Sequence, residues 1–250
     1  MSPAVDTGDE RRHPGTDESW WFDFAAGDGS VGGYLRLAYH PGEGVAWCWA
    51  AVVGDDLPLV GLRAHDVQIP ARGTEIRGDG VWASLTCETP MEHWSVGLES
   101  FGAIFEHPLE AGGGERGDGV PFGLDLEWEA TAAAVGGRGG YGQWCQVHGE
   151  VLIGDDRVEV AATGHREHGW GSAPRAWRVA VPPWWVSEGD VGAVLHTEWG
   201  ADGLPSRAVF GEEVVLTPRR WSPVAVPGVR VVHALCDGPA WGWVSWCGPR

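Results

Sequence analysis

Phe122-Gly123-Leu124-Asp125-Leu126-Glu127-Trp128-Glu129 alternates apolar and acidic residues with little interruption. Phe122, Leu124, Leu126 and Trp128 point one way and Asp125, Glu127 and Glu129 the other, the period of two that marks a half-buried β-strand. Runs of the same kind lie on both sides of it. Upstream, residues 19–24 (Ser-Trp-Trp-Phe-Asp-Phe), 32–39 and 45–53 are each bounded by Gly, Pro or Asp, as strands with tight connections are. More follow between residues 74 and 106 and between residues 145 and 246. No long window keeps apolar residues at helical spacing without a Gly or Pro breaking it. The expected fold is all-β: a barrel or sandwich pair packed as one unit.

Composition points the same way. Gly is 40 of 250 residues, against a usual share of about 7%. Trp, at 17, outnumbers Phe and Tyr together. Many tight turns plus many large aromatics suit a sheet protein with an aromatic interior, and most of the tryptophans are expected to fill that core. The Gly-rich stretch at residues 132–142 is the one candidate boundary. It gives an expected tail without order at residues 1–18, an N-terminal β half at 19–135 and a C-terminal β half at 141–250.

Charge and residue usage exclude several classes. The net charge is −18, all 17 basic residues are Arg, and the chain has neither Lys nor Asn. That removes Schiff-base and P-loop lysine chemistry. An acidic chain without a basic cluster does not suit nucleic acid or anionic membranes. Five cysteines without a CxxC pair argue against a zinc ribbon or a disulfide framework. No apolar run approaches the ~20 residues of a membrane span, and the polar N-terminus does not read as a secretion signal. The expectation is a cytoplasmic protein without a cofactor.

Chemistry-bearing residues concentrate in Gly164-His165-Arg166-Glu167-His168-Gly169-Trp170-Gly171. On a strand Arg166, His168 and Trp170 share one face and His165 lies on the other, so His165 and His168 do not suit one metal ion. An imidazole beside an indole fits a site where a cation forms. The plainer reading is an internal Arg/Glu/His network closing a barrel end. A second group, Glu88, Glu92, His93 and Trp94, offers a carboxylic acid near an indole, or solvated turn acids. A third, Asp125 with Glu127 and Glu129, spaces carboxylates ~7 Å apart as sugar hydrolysis would use them, or is a solvated sheet face. A fourth pair, His196 and Glu198, shares a strand face before Trp199.

The 164–171 stretch, with Trp177 after it, resembles the signature of the carotenoid 1,2-hydratase-type, AttH-like branch of the lipocalin-related superfamily. The runs 18–24, 90–94 and 125–129 are similar to actinobacterial relatives of that superfamily. The resemblance implies two lipocalin-like halves and, between them, a pocket for an apolar, often isoprenoid or polyene, molecule. It implies an enzyme of the hydratase (lyase) or cyclase/isomerase kind, working without metal or nucleotide. Alkene hydration, tocopherol-type cyclisation and pericyclic ring closure are the family's chemistries. It carries the family's site His and Trp onto His168 and Trp170. The hydratase's Tyr-x-Asp pair has its nearest counterpart in His196-x-Glu198, with Glu198 ahead of Glu92 and Asp125 as the acid. Arg166, Trp94, Trp128, Trp177 and Trp199 are then expected to line the substrate. A non-catalytic binder of the same ligands and a carbohydrate-active protein built on Asp125 are the alternatives.

Overall fold

In the computed structural model, residues 5–249 are described except 114–116, 138, 172–177, 182–183, 188–194, 211–213 and 227–228. A single 3-10 turn, Thr7–Glu10, precedes the strands β1 (Glu18–Ala25), β2 (Val31–His40), β3 (Val45–Gly54), β4 (Leu59–Gln68), β5 (Ile76–Gly78), β6 (Val81–Thr89) and β7 (His93–Phe105). A short helix, α1 (Pro108–Gly113), leads to β8 (Asp118–Ala130), β9 (Val135–Gly137), β10 (Gly140–Ile153) and β11 (Asp156–Trp170). The rest of the chain holds β12 (Arg178–Val181), β13 (Trp184–Ser187), β14 (Leu195–Trp199), β15 (Pro205–Phe210), β16 (Val214–Val226), β17 (Val229–Asp237) and β18 (Gly242–Pro249).

The first sheet runs β4-β3-β2-β1-β11-β10-β8-β7-β6-β5, and β4 also pairs with β7 at Leu59↔Phe105 to Gly61↔Ala103. That pairing closes the sheet into an antiparallel barrel, which removes its edges on that path. Alternation decides what fills it. Trp20, Phe22 and Phe24 of β1 and Phe122, Leu124, Leu126 and Trp128 of β8 all join one buried interior cluster. Asp125 and Glu129 are exposed and Glu127 is half-buried, as the alternation of residues 122–129 requires.

The barrel's outer face at β1–β4 is also apolar. Tyr34, Ala38, Trp47, Trp49, Ala51 and Val53 pack with Val224, Val231, Leu235 and Trp243 of a second sheet, ordered β13-β12-β18-β17-β16-β15-β14. Strands β2 and β3 are therefore buried on both faces, which explains why their sequences read as near-continuous apolar runs.

Two expectations change here. The Gly-rich stretch near residue 136 is no border between sheets: β9 folds back on β10 within the first sheet, and β10 and β11 complete the barrel. Glycines that tolerate a tight hairpin carry the same compositional mark as a linker. The passage from one sheet to the other comes after Trp170. Residues 5–17 are not a loose tail either. Asp6 caps the 3-10 turn, and Glu10 is buried against the barrel.

Candidate functional site

Strand β11 divides its own motif. Arg166 and His168 face the barrel interior, whereas His165 and Glu167 face outward, and all four are buried. Two polar clusters result, one on each side of the β1–β11 pair.

The inner cluster closes the barrel mouth. Arg166 Nη2 donates to Glu10 Oε1 at 2.8 Å, and Arg166 also bonds Gln143 and, at 3.0 Å, the Tyr141 hydroxyl. Tyr141 donates in turn to Glu10. Glu10 Oε1 further accepts the Met91 N–H at 2.8 Å, while Gln143 Nε2 donates to the Met91 carbonyl at 2.8 Å. Met91 holds a positive φ of 64°, a turn conformation costly for a side-chain-bearing residue, and these two bonds clamp it. Burial alone would raise the Glu10 carboxyl, but Arg166, Tyr141 and the Met91 N–H hold it below the ordinary carboxylate value. Trp94 lies under the Arg166 guanidinium, 5.6 Å from it, with Trp94 Nε1 3.4 Å from Glu10.

Beside this network His168 Nε2 lies 2.8 Å from Glu18 Oε1, and Trp20 stacks on the His168 ring at 4.8 Å. His13 reaches the same oxygen through its backbone N–H at 2.8 Å and through Nδ1 at 3.2 Å, and Trp170 stacks on its ring at 3.9 Å.

The outer cluster lies between the barrel and the second sheet. Register places Trp144, His165, Asp23, Tyr34 and Ala51 in one row across β10, β11, β1, β2 and β3. Glu167, Trp21, Arg36, Trp49 and Arg63 form the next row, ending on β4. Asp23 accepts from Trp21 Nε1 at 2.7 Å and from the His165 backbone N–H at 3.1 Å. Burial outweighs both bonds and raises its carboxyl to about 7. From the facing sheet, His233 of β17 packs on Trp21 and Tyr34, with ring centroids 5.0 and 4.8 Å away, and its Nδ1 meets Ser245 Oγ at 2.7 Å. Its Nε2 is buried with no hydrogen-bond partner among the described residues. Burial, then the charges of Arg36 and Arg63, drive the His233 ring down to about 3, so it stays neutral. Tyr34, which meets Ser222 Oγ at 2.9 Å, is raised to about 12 by burial and keeps its proton.

The structure brings together Arg166, His168, Trp170 and Trp94 of the residues singled out in the sequence, all at the barrel mouth. Glu198 does not join them. It lies on β14 of the other sheet, exposed, 2.8 Å from Arg207, and His196 on the same strand is exposed. Trp199 is also exposed, its ring 6.4 Å from Trp246, and Glu92 is an exposed turn residue. Asp125 and Glu127 line an open groove of about 840 Å³ whose lining contains no tryptophan. Trp128 is buried, donating to the Asp23 carbonyl at 3.0 Å. Trp177 lies outside the described residues. Glu10, Glu18, Tyr141, Asp23 and His233 were not anticipated. Asp23 did carry a signal, as the one acid in the aromatic run Trp20-Trp21-Phe22-Asp23-Phe24; so did His233 within Val231-Val232-His233-Ala234-Leu235. A polar residue in an apolar strand is buried at a cost and calls for a partner.

The fold is similar to that of solved proteins. A protein assigned as AttH in Nitrosomonas europaea matches with a TM-score of 0.56 and 13% identity, over 97% of this chain and 96% of that one. Kievitone hydratase from Nectria haematococca matches with a TM-score of 0.53 and 11% identity, over 97% of this chain and 92% of that one. At such identities the likeness concerns the fold. No curated protein matches by sequence. The family model described as "Domain of unknown function (DUF7064)" matches residues 6–212.

Proposed function

The chain belongs to the DUF7064 family, and on that premise we propose a hydratase- or isomerase-type acid–base enzyme whose site is built around the Asp23–His233 cluster between the barrel and the second sheet. The observation that carries this reading is Asp23, a buried carboxyl raised to about 7 in an aromatic setting. Adding a proton to an unsaturated carbon needs a neutral carboxylic acid near working pH. The name of the Nectria hydratase, borne on the same fold, supports water addition as the reaction class. The substrate class is an apolar unsaturated small molecule, of terpenoid, polyene or polyketide type, matched by the indoles of Trp21 and Trp49 and the phenol of Tyr34.

In this reading Asp23 gives its proton to one carbon of the double bond, leaving a cation at the other. The Trp21 indole stabilises that cation. A water accepted by the free Nε2 of His233 attacks the cation, and its surplus proton returns to the Asp23 carboxylate. The product is an alcohol and the acid is regenerated. Proton loss without water attack gives an isomer instead.

The test is a panel of terpenoids, polyenes and polyketide-like phenols, read by the mass gain of one water and by thermal shift. Wild type is expected to bind and convert one class; Asp23→Asn is expected to bind it without conversion. Conversion that survives Asp23→Asn refutes the assignment. A second reading, a non-catalytic binder, is favoured by the burial of His168 in packing and by the side-chain-filled barrel. It predicts equal thermal shifts in both proteins and product from neither.

A further inference from the structure

Strand alternation separates His165 from His168, and that removes the metal arrangement the motif suggests on paper. The fold assembles a different one. His13 from the segment before β1, Glu18 at the start of β1 and His168 near the end of β11 offer Nδ1, a carboxylate oxygen and Nε2, all within 4.8 Å of one another. We propose that these three side chains form a divalent transition-metal site of the zinc class at the barrel mouth, separate from the buried cluster that holds Asp23.

The donor set selects the ion class. Two imidazoles and one carboxylate suit zinc and its first-row neighbours. Calcium and magnesium favour all-oxygen shells and fit poorly. Bonds of about 2.0–2.2 Å at tetrahedral angles place ligand atoms about 3.3–3.6 Å apart. Both imidazole nitrogens already lie close to that distance from Glu18 Oε1, so the main adjustment is a closing of the two rings on each other by about 1 Å, which the partly exposed His13 can supply. Both rings are already oriented: Trp170 stacks on His13 with 8° between the planes, and Trp20 on His168 with 16°. Two of the three ligands are fixed and buried, whereas the His13 side chain is 28% exposed and marks the way in. Arg12 Nε, 3.9 Å from Glu18 Oε2, occupies the other side of the carboxylate, so Glu18 would bind through Oε1 alone. Three protein ligands leave a fourth position of a tetrahedral site for water.

Without metal, Glu18 Oε1 lies within hydrogen-bonding distance of both imidazoles and accepts the His13 N–H. An ion would take the place of protons shared in that cluster, and binding would release them. It would also join the N-terminal segment to two barrel strands, and a ligand bound only by the folded state raises the melting temperature.

The experiment is zinc titration by calorimetry of the chelator-treated full chain in two buffers of different ionisation enthalpy, with thermal melts alongside. Wild type is expected to bind one equivalent with proton release and to melt higher. His13→Ala removes the most accessible ligand, and its fold is checked by circular dichroism. It is expected to bind at least about 100-fold more weakly, while His196→Ala, on exposed β14, binds like wild type. Cobalt(II) is expected to give a visible spectrum of low-coordinate nitrogen and oxygen ligation in wild type and His196→Ala but not in His13→Ala. Absence of one-equivalent binding in wild type, or undiminished binding in folded His13→Ala, overturns the proposal. Neither result bears on Asp23.

Discussion

Glu10 and Arg166 are both buried at the barrel mouth, and each keeps the other charged. On the outer side of the same two strands, Asp23 and His233 are also buried, and there the neutral forms are favoured. The difference lies in the partners. Glu10 has a guanidinium, a phenol and a backbone N–H. Among the described residues, Asp23 has only an indole and a backbone N–H, with no cation bonded to it, and His233 faces two arginines that oppose its protonation. Pairing favours ions, whereas burial without pairing favours neutral acids and bases. The first arrangement holds a structure together; the second keeps a proton available near neutral pH.

The largest effect that could break this contrast is at Arg166. Arg166→Met leaves the Glu10 carboxylate buried with Tyr141, the Met91 N–H and the Trp94 indole but no cation, and losing one partner of a buried pair costs about 3–5 kcal/mol. Chemical denaturation of the variant is expected to show that loss. A loss near zero would mean the mouth is not an ionic lock, and the two clusters would differ less than their geometry says.

Gly164 of β11 packs directly beneath the Asp23 backbone. A Cβ there would lie 2.2 Å from the Asp23 carbonyl oxygen and 3.0 Å from Trp128 Nε1, so β1 and β11 would have to part. Overpacking of this kind costs about 1–3 kcal/mol. Gly164→Ala is expected to destabilise within that range and also to lower the activity assigned to Asp23. Loss of stability with activity intact would separate the Asp23 chemistry from the strand geometry.

The neutral pair makes a finer prediction in pH. The folded carboxyl of Asp23 is raised from 3.8 to about 7, so its contribution favours folding at acid pH and is lost as pH rises across that window. His233 falls from 6.5 to about 3, so its contribution is full above 6.5 and is lost as pH falls towards 3. Between about pH 4 and 6.5 the two slopes oppose each other, each of about 1.4 kcal/mol per pH unit at most. Denaturant midpoints of Asp23→Asn are expected to fall on acidification across that window more steeply than those of wild type. Midpoints of His233→Gln are expected to fall as pH rises. Parallel curves for all three proteins would mean that neither group is held neutral.

How far the sequence reaches follows from what each feature depends on. The strand at residues 122–129 and the shared face of Arg166, His168 and Trp170 were readable because alternation is local, and each residue's side follows from its neighbour's. The partners were not readable. Glu10 lies 156 residues from Arg166, and Glu18 150 from His168. No periodicity reports a contact closed by a barrel. Composition even misdirected: a polar, Gly- and Pro-bearing N-terminus reads as a tail, yet it supplies the carboxylate that pairs with Arg166. The acid expected at Glu198 came from chain-order correspondence with a relative, and β14 carries that position to an exposed strand of the other sheet.

That displacement supplies the smallest prediction. Glu198 has a solvated ion pair with Arg207, both side chains well exposed, and such pairs contribute little. Glu198→Gln is expected to shift stability by less than about 0.5 kcal/mol and to leave conversion of any substrate found for wild type unchanged. The contrast with Asp23 is therefore sharpest in a double measurement. Asn at 23 removes an acid that burial holds near pH 7, whereas Gln at 198 removes a carboxylate that water already surrounds. If Glu198→Gln abolished activity while Asp23→Asn did not, burial would have misled as a guide to the acid. The second sheet, not the outer face of β1, would then carry the chemistry.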